Sequence, residues 1–246
     1  MANVVMLHGW GMNQGIWQLQ KQALEKTSKH TYRTANLPGF GGNAFNGEEY
    51  NLNAIVEQLA PEIPNDSVIV AWSLSGLVAL KMAKHYPEKV KKIILVASSP
   101  FFSGQTDWPG IEEKVLDTFM LQLSKNHQKT VERFLAIQAM GTEHAKQDIK
   151  QIKQLLAQYP EAEQRALAGG LEILKNDDLR DLFADCEQPI SGIFGRLDSL
   201  VPAKAVAKMR ELNANFTAEI IAKASHAPFI SHPSEFSNLL LSQIEA

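Results

Sequence analysis

Val68-Ile-Val-Ala-Trp-Ser-Leu-Ser-Gly-Leu-Val-Ala-Leu80 is the stretch whose reading decides the fold. It opens on a short apolar, β-branched run, Val68 to Val70, which reads as a buried strand. It closes on a helix-forming run, Leu74 to Tyr86, with apolar Leu77, Leu80 and Ala83 at spacings of three. Ser73 stands at the junction. A strand that turns sharply into a helix with a serine at the corner is a nucleophile elbow. Such a corner strains the serine backbone and points its hydroxyl out of the sheet. It sets Ser73 at a helix N-terminus, where peptide dipoles favour negative charge. It also aims the Leu74 N–H at the place an oxyanion would occupy.

The usual pattern is G-x-S-x-G, whereas this chain has Ala71-Trp72-Ser73-Leu74-Ser75 followed by Gly76. Both replacements are small, which meets the steric need where strand and helix approach. A serine between an apolar run and a helix is also a common N-cap. Taken alone, the stretch leaves both roles open.

Working outward, Asn3 to Leu7 reads as a strand that runs into His8-Gly9-Trp10-Gly11. An HG-x-G loop after an early strand supplies a second oxyanion donor, here the Trp10 N–H, with the indole as a wall of an acyl pocket. A plain strand-to-helix turn with Trp10 in the core is the bland alternative. Ile16 to Lys26 reads as a helix, Tyr32 to Asn36 as a strand, and Leu37-Pro-Gly-Phe-Gly-Gly42 as a loop. No Lys-Ser/Thr follows these glycines and no G-x-G-x-x-G opens a helix, so a nucleotide site is discounted. Asn51 to Ala60 reads as a helix ended by Pro61, and Val90 to Ala97 as a buried strand. This alternation predicts a parallel sheet covered by helices, with ligands at the carboxyl ends of the strands.

The pattern changes after about Gln105. Ile111 to Leu123, Gln128 to Met140, Thr142 to Tyr159 and Glu161 to Leu174 read as helices, punctuated by Gly141, Pro160 and Gly169-Gly170. Residues 106–184 are therefore expected to form a helical cap over a core made of residues 1–105 and 185–246. Lys125, Lys129 and Arg133 lie four apart, as if on one helical face, and Lys146, Lys150 and Lys153 on another. Only Glu132, Glu143 and Asp148 oppose them across residues 121–158. This is either a solvated face or a dock for an acidic partner. Alternation returns with strands at Pro189 to Gly195 and Phe216 to Ile221 and helices at Ala203 to Leu212 and Ser234 to Ile244.

The bulk properties narrow the classes. The 246 residues are 45% hydrophobic and 21% charged, enough for a large core. A formal net charge of −3 argues against a general nucleic-acid binder. Cys186 is the only cysteine, which excludes an intrachain disulfide and a cysteine metal cluster. The first residues have neither a basic region nor a long apolar core, so no signal peptide is expected. No apolar run approaches a membrane span, so a cytoplasmic soluble protein is the default. A monomer is a separate expectation, which hydropathy does not decide.

Ser73, Asp198 and His226 occur in the order Ser…Asp…His, each just beyond a predicted strand end. That is the chain order of the α/β-hydrolase fold: a mostly parallel central sheet with helices on both faces and a helical cap insertion. A serine hydroxyl is a weak nucleophile at neutral pH. A histidine can take its proton and return it to a leaving group, and a carboxylate fixes the imidazole tautomer. His232 is the nearest rival to His226, and Asp177 and Asp178 are rivals to Asp198. No H-E-x-x-H or grouped ligand set is present, so neither a metal nor another cofactor is expected.

The stretches Leu7-His-Gly-Trp-Gly11, Ala71-Trp-Ser-Leu74, Val96-Ala-Ser-Ser-Pro100, Asp107-Trp-Pro-Gly110 and Thr130-Val-Glu-Arg-Phe-Leu-Ala136 carry a closer resemblance. So do Met140-Gly-Thr-Glu143, Gly169-Gly-Leu-Glu-Ile-Leu-Lys175 and Ala222-Lys-Ala-Ser-His-Ala-Pro-Phe-Ile-Ser-His-Pro233. Over nearly its whole length the chain resembles the pimeloyl-[acyl-carrier protein] methyl ester esterases, the BioH carboxylesterases of biotin synthesis. The resemblance implies a serine esterase that releases methanol from a pimeloyl methyl ester attached to acyl carrier protein. Ser73, Asp198 and His226 would be the triad, and the Trp10 and Leu74 N–H groups the oxyanion hole. Phe134, Leu135, Ala136, Ile137 and Gln138 would contact substrate together with Trp10, Ser73, Leu74 and His226. Lys129, Arg133, Lys146 and Lys150 would dock the carrier.

The chain departs from the family in two places. Ser75-Gly76 stands where a glycine pair is frequent, and there is almost no room for a strand pair ahead of the HG-W-G strand, so the first edge strands are expected to be missing. A general short-chain carboxylesterase and a catalytically silent hydrolase-fold binding protein are the competing readings. Equal turnover of free and carrier-bound esters marks the first, and absence of turnover the second.

Overall fold

A computed structural model describes residues 1–246. The element order is β1 (Asn3–Leu7), α1 (Gln18–Thr27), β2 (Thr31–Ala35), α2 (Leu52–Leu59), β3 (Ser67–Trp72), α3 (Ser75–His85) and β4 (Val90–Val96). Five helices follow: α4 (Glu113–Lys125), α5 (His127–Gln138), α6 (Ala145–Leu156), α7 (Gln164–Asn176) and α8 (Arg180–Ala184). The chain then returns to β5 (Ile190–Gly195), α9 (Ala203–Leu212), β6 (Thr217–Ile221), α10 (Pro228–Ser231) and α11 (Pro233–Glu245). The strands form one sheet in the order β2-β1-β3-β4-β5-β6, and every pairing is parallel. No further strand lies outside β2.

Sequence pattern sets each strand's place. β3 and β5 are buried along their whole length, as apolar strands covered on both faces must be. The outermost strands, β2 and β6, are more exposed and carry polar residues. The order reverses between β1 and β3, so the crevice of a doubly wound sheet opens at their carboxyl ends. Both the His8–Gly11 loop and Ser73 lie there.

No strand interrupts the insertion between β4 and β5. Its apolar residues Leu116, Phe134, Ile152, Leu167 and Leu171 belong to the same 69-residue buried cluster as the sheet, so the insertion packs onto the core rather than standing apart. Polar anchors fix it further. The Asn13 side chain donates to the Leu156 carbonyl at 3.1 Å, and the Phe45 N–H donates to Glu163 Oε1 at 3.0 Å.

Two readings of this region need correction. Gly169 and Gly170 do not punctuate: α7 runs through both. A Cβ on Gly169 would lie 2.6 Å from the Tyr50 side chain, and one on Gly170 would lie 2.6 Å from Trp10 Cδ1. The glycines let the helix approach the core, and tertiary packing overrides their poor helix propensity. Lys125 does not share a helix with Lys129 and Arg133. Asn126, with an extended backbone at φ −159°, ends α4 and caps α5 by accepting from the Lys129 N–H at 2.9 Å. Two short helices, α8 and α10, had no separate periodic signal, because so few residues define no face.

Candidate active site

The elbow forms as its residues require. Ser73 follows the last residue of β3 and adopts φ +57°, a left-handed conformation that a side chain rarely takes. The end of β4 holds it there: the Ser73 N–H donates to the Val96 carbonyl at 3.0 Å. Ser75 carries a hydroxyl where a glycine is usual. That hydroxyl reaches the Leu7 carbonyl at 3.1 Å and the Trp72 carbonyl at 3.0 Å, tying the elbow to the end of β1. The replacement is therefore accommodated by two buried acceptors.

Three loops converge on Ser73. His226 Nε2 lies 2.9 Å from Ser73 Oγ, and His226 Nδ1 lies 2.7 Å from Asp198 Oδ2. The remaining carboxylate oxygen, Asp198 Oδ1, accepts from the N–H groups of Leu200 at 2.8 Å and Val201 at 3.0 Å. Asp198 is thus fixed by its own loop and presents one oxygen to the imidazole. With Nδ1 donating to the carboxylate, Nε2 is left as the acceptor for the serine proton. The Leu197 N–H donates to the Ala224 carbonyl at 2.9 Å, lacing the aspartate and histidine loops together. All three side chains are buried.

The rivals stand elsewhere. The His232 ring bonds to Ser231 Oγ at 2.9 Å, and Asp178 pairs with Arg180 at 2.6 Å. Asp177 follows the end of α7, and burial pushes its carboxyl above the usual range.

The N–H groups of Trp10 and Leu74 donate to no protein acceptor, although both residues are fully buried. Buried amides without partners are rare, and a pair flanking a serine nucleophile is suited to an oxyanion. His8 fixes the first of them. Its ring Nδ1 lies 2.8 Å from the Gly9 carbonyl, and its Nε2 accepts from the Leu37 N–H at 3.0 Å. Those partners select the neutral tautomer with the proton on Nδ1, and complete burial lowers the pKa to about 4 despite the backbone hydrogen bond.

A narrow apolar cavity reaches Ser73, walled by Phe102, Ile111, Leu116, Phe119, Phe134, Leu171, Leu174 and Leu200. Of the expected substrate segment, Phe134 faces this cavity. Leu135 lines a second, larger groove of about 340 Å³ that includes Gly11, Val131 and Lys153 but no member of the triad. The chemistry therefore points to the narrower space. Ala136 is exposed and Ile137 half-buried. Gln138 is buried, its amide N–H donating to the Phe134 carbonyl at 3.0 Å while its Oε1 has no partner.

The Trp10 indole does not line the Ser73 cavity. It donates to the Leu167 carbonyl at 2.8 Å and meets Phe134 edge-on at 4.8 Å, so α7 of the helical insertion clamps the His8–Gly11 loop. Phe102 lines the cavity, whereas the Trp72 indole donates to the His226 carbonyl at 2.8 Å and steadies the histidine from behind. A tryptophan preceding the nucleophile was the available signal, but its direction was not.

Lys129, Arg133, Lys146 and Lys150 are exposed on the adjacent helices α5 and α6, and none takes part in an ion pair. Lys153 is different: it pairs with Glu132 at 3.0 Å.

The α/β hydrolase fold family model matches residues 2–233. A pimeloyl-[acyl-carrier protein] methyl ester esterase from Pseudoalteromonas atlantica is 47% identical over 236 residues, covering 95% of this chain and 91% of the relative. One from Aeromonas hydrophila is 43% identical over 239 residues, covering 97% and 93%. Among solved structures, an esterase from Exiguobacterium antarcticum superposes with a TM-score of 0.87 at 21% identity, covering 100% of this chain and 92% of that one. At that identity the likeness speaks for the fold alone.

Proposed function

Because the chain belongs to the pimeloyl-[acyl-carrier protein] methyl ester esterase family of α/β hydrolases, we propose that Ser73, His226 and Asp198 hydrolyse the methyl ester of a pimeloyl group carried by acyl carrier protein. The protein is a serine carboxylesterase, and its reaction belongs to biotin biosynthesis. The observation that carries the assignment of residues is the unbroken hydrogen-bonded line from Asp198 through His226 to Ser73, beside two unpartnered amides.

The geometry supports the following steps. Ser73 Oγ attacks the terminal ester carbonyl as His226 Nε2 takes its proton. Asp198 Oδ2 stabilises the imidazolium that forms and holds its orientation. The negative charge on the former carbonyl oxygen is received by the Trp10 and Leu74 N–H groups, which need no reorganisation at that moment. Collapse of the tetrahedral intermediate expels methoxide, which leaves as methanol with the proton from His226. A water, deprotonated by His226, then attacks the acyl-enzyme and releases the pimeloyl carboxylate still attached to its carrier.

Substrate recognition divides into an apolar and a charged part. The cavity at Ser73 is only about 10 Å³ as it stands and must widen to admit an acyl chain, but its walls, Phe134 among them, are apolar as a methylene chain requires. Lys129, Arg133, Lys146 and Lys150 suit an acidic carrier, because exposed unpaired cations steer an anionic partner to the cap. Trp10 takes part through its backbone N–H, and of residues 134–138 only Phe134 lines the Ser73 cavity. No helix is long and apolar enough to cross a membrane. The reading is of a monomeric enzyme in the cytoplasm.

The test is direct. Carrier loaded with the pimeloyl methyl ester is incubated with the wild-type protein and with Ser73→Ala, and the acyl group is identified by mass spectrometry. Conversion to the free carboxylate by the wild type alone is expected. Conversion by both proteins, or by neither, contradicts the assignment.

A further inference from the structure

Ser98 is fully buried just beyond β4, and no step described above uses it. Its hydroxyl donates to the Ser73 carbonyl at 2.7 Å. Ala97, with φ +44°, makes the left-handed turn that brings Ser98 back beneath the elbow. The Gly76 N–H, at 2.9 Å, is a second donor to the same carbonyl. Gly76 also provides the room: a Cβ there would lie 2.0 Å from Ser98 Oγ. The glycine kept after the substituted elbow position is thus matched to this hydroxyl.

The carbonyl of Ser73 and the N–H of Leu74 belong to one peptide group. No peptide bond in the chain is cis, so the two point in opposite directions from a single plane. A donor that holds the carbonyl on one side fixes the direction of the N–H on the other. The first oxyanion donor is built the same way: His8 holds the Gly9 carbonyl, and the Trp10 N–H shares that peptide. Ser98 does for Leu74 what His8 does for Trp10.

We propose that Ser98 is a positioning residue that aims the Leu74 N–H into the oxyanion hole. The inference rests on the esterase reading above and deepens it. A hydroxyl that merely satisfied buried polarity would matter to stability, whereas one that aims a donor must matter to the transition state. The proposal predicts a loss in kcat with little change in KM, since the ester carbonyl gains its full charge only after attack.

The experiment compares wild type, Ser98→Ala and Ser98→Cys, with hydrolysis of p-nitrophenyl butyrate as the rate assay. Active sites are counted with a fluorophosphonate label. The second readout is a trifluoromethyl ketone that adds to Ser73, with the ionisation of its hemiketal followed by 19F NMR. Removing an oxyanion donor outright costs about 100- to 1,000-fold in kcat, so a misaimed one should cost about 10- to 100-fold in Ser98→Ala. The hemiketal should ionise at higher pH in step with that loss. Ser98→Cys keeps a weaker donor in nearly the same space and should fall between. It decides the matter alone if the alanine variant does not fold. Wild-type kcat per labelled site, or lost activity with an unmoved hemiketal ionisation, overturns the proposal. Failure of the wild type to turn over the ester would instead count against the esterase reading.

Discussion

His226 Nε2 stands 2.9 Å from Ser73 Oγ across 153 residues of chain, and Asp198 Oδ2 holds the other side of the same ring at 2.7 Å. The three residues come from different strand ends, so the sheet positions them rather than any local motif. Their orientation is fixed one layer further out, by the Leu200 and Val201 N–H groups on Asp198 and by the Trp72 indole on the His226 carbonyl.

That outer layer makes Asp198→Asn informative. The Leu200 and Val201 N–H groups will claim the amide oxygen, because an NH2 group cannot accept from them. The amide NH2 then faces His226 Nδ1 and forces the proton onto Nε2, where it blocks removal of the serine proton. A loss of about 10⁴-fold in kcat with an unchanged fold is expected. It is checked by steady-state hydrolysis of p-nitrophenyl butyrate and by circular dichroism. Activity within tenfold of wild type would mean that the carboxylate does not set the tautomer.

His8 predicts an acid limb in stability. Its pKa is about 4 when folded and about 6.5 when exposed, so the unfolded chain binds the extra proton first as pH falls. Stability is therefore lost between about pH 6.5 and pH 4, by on the order of 3 kcal/mol at the lower end. Asparagine at position 8 can keep a donor toward the Gly9 carbonyl without the titration. His8→Asn should be less stable at pH 7, since the Leu37 N–H loses its acceptor, yet should lose less on acidification. Tm measured at pH 7 and pH 4.5 tests both signs. An equal acid loss in the two proteins would exclude His8 as its source.

Gly170→Ala separates helix propensity from packing. Alanine in an exposed helix would stabilise by up to about 1 kcal/mol over glycine. Here the new methyl meets Trp10 Cδ1, and Trp10 is fully buried and held by Leu167. The variant should lose about 1–3 kcal/mol and should also lose kcat if the Trp10 N–H is the oxyanion donor proposed above. Denaturant unfolding and initial rates check the two effects together. A raised Tm would show that α7 can retreat without disturbing the loop.

Charge reversal of Arg133 and Lys150 should raise KM for a carrier-bound ester several-fold each and weaken its salt dependence, because unpaired exposed cations act through steering. Lys153→Glu should do less, since Glu132 already neutralises that lysine. Hydrolysis of a carrier-free ester should be unaffected in all three. Equal effects on both esters would place the cations outside the docking face.

Much of this was legible in the sequence because two periods carry it. The apolar runs at Asn3–Leu7 and within Val68–Val70 mark buried strands, and the alternation of strands with helices implies a parallel sheet. The meeting of Ser73, Asp198 and His226 was legible because each follows a strand end in a fixed order. What escaped were features set by contact at a distance. The pair Gly169-Gly170 looks like a break, yet it answers Tyr50 and Trp10. Asn126 both ends one helix and starts the next, which a four-residue charge spacing conceals. Ser98 reads only as the end of a strand, since nothing local shows its hydroxyl reaching a carbonyl 25 residues away.

The most direct test of the account is the ratio of kcat/KM for a pimeloyl methyl ester on acyl carrier protein to that for the same ester without the carrier. It is measured for the wild type at low ionic strength, with Ser73→Ala as the blank. The account predicts Ser73-dependent hydrolysis of both and a clear preference for the carrier-bound ester that shrinks as salt is added. Equal kcat/KM for the two esters at every salt concentration would contradict it and leave a general carboxylesterase.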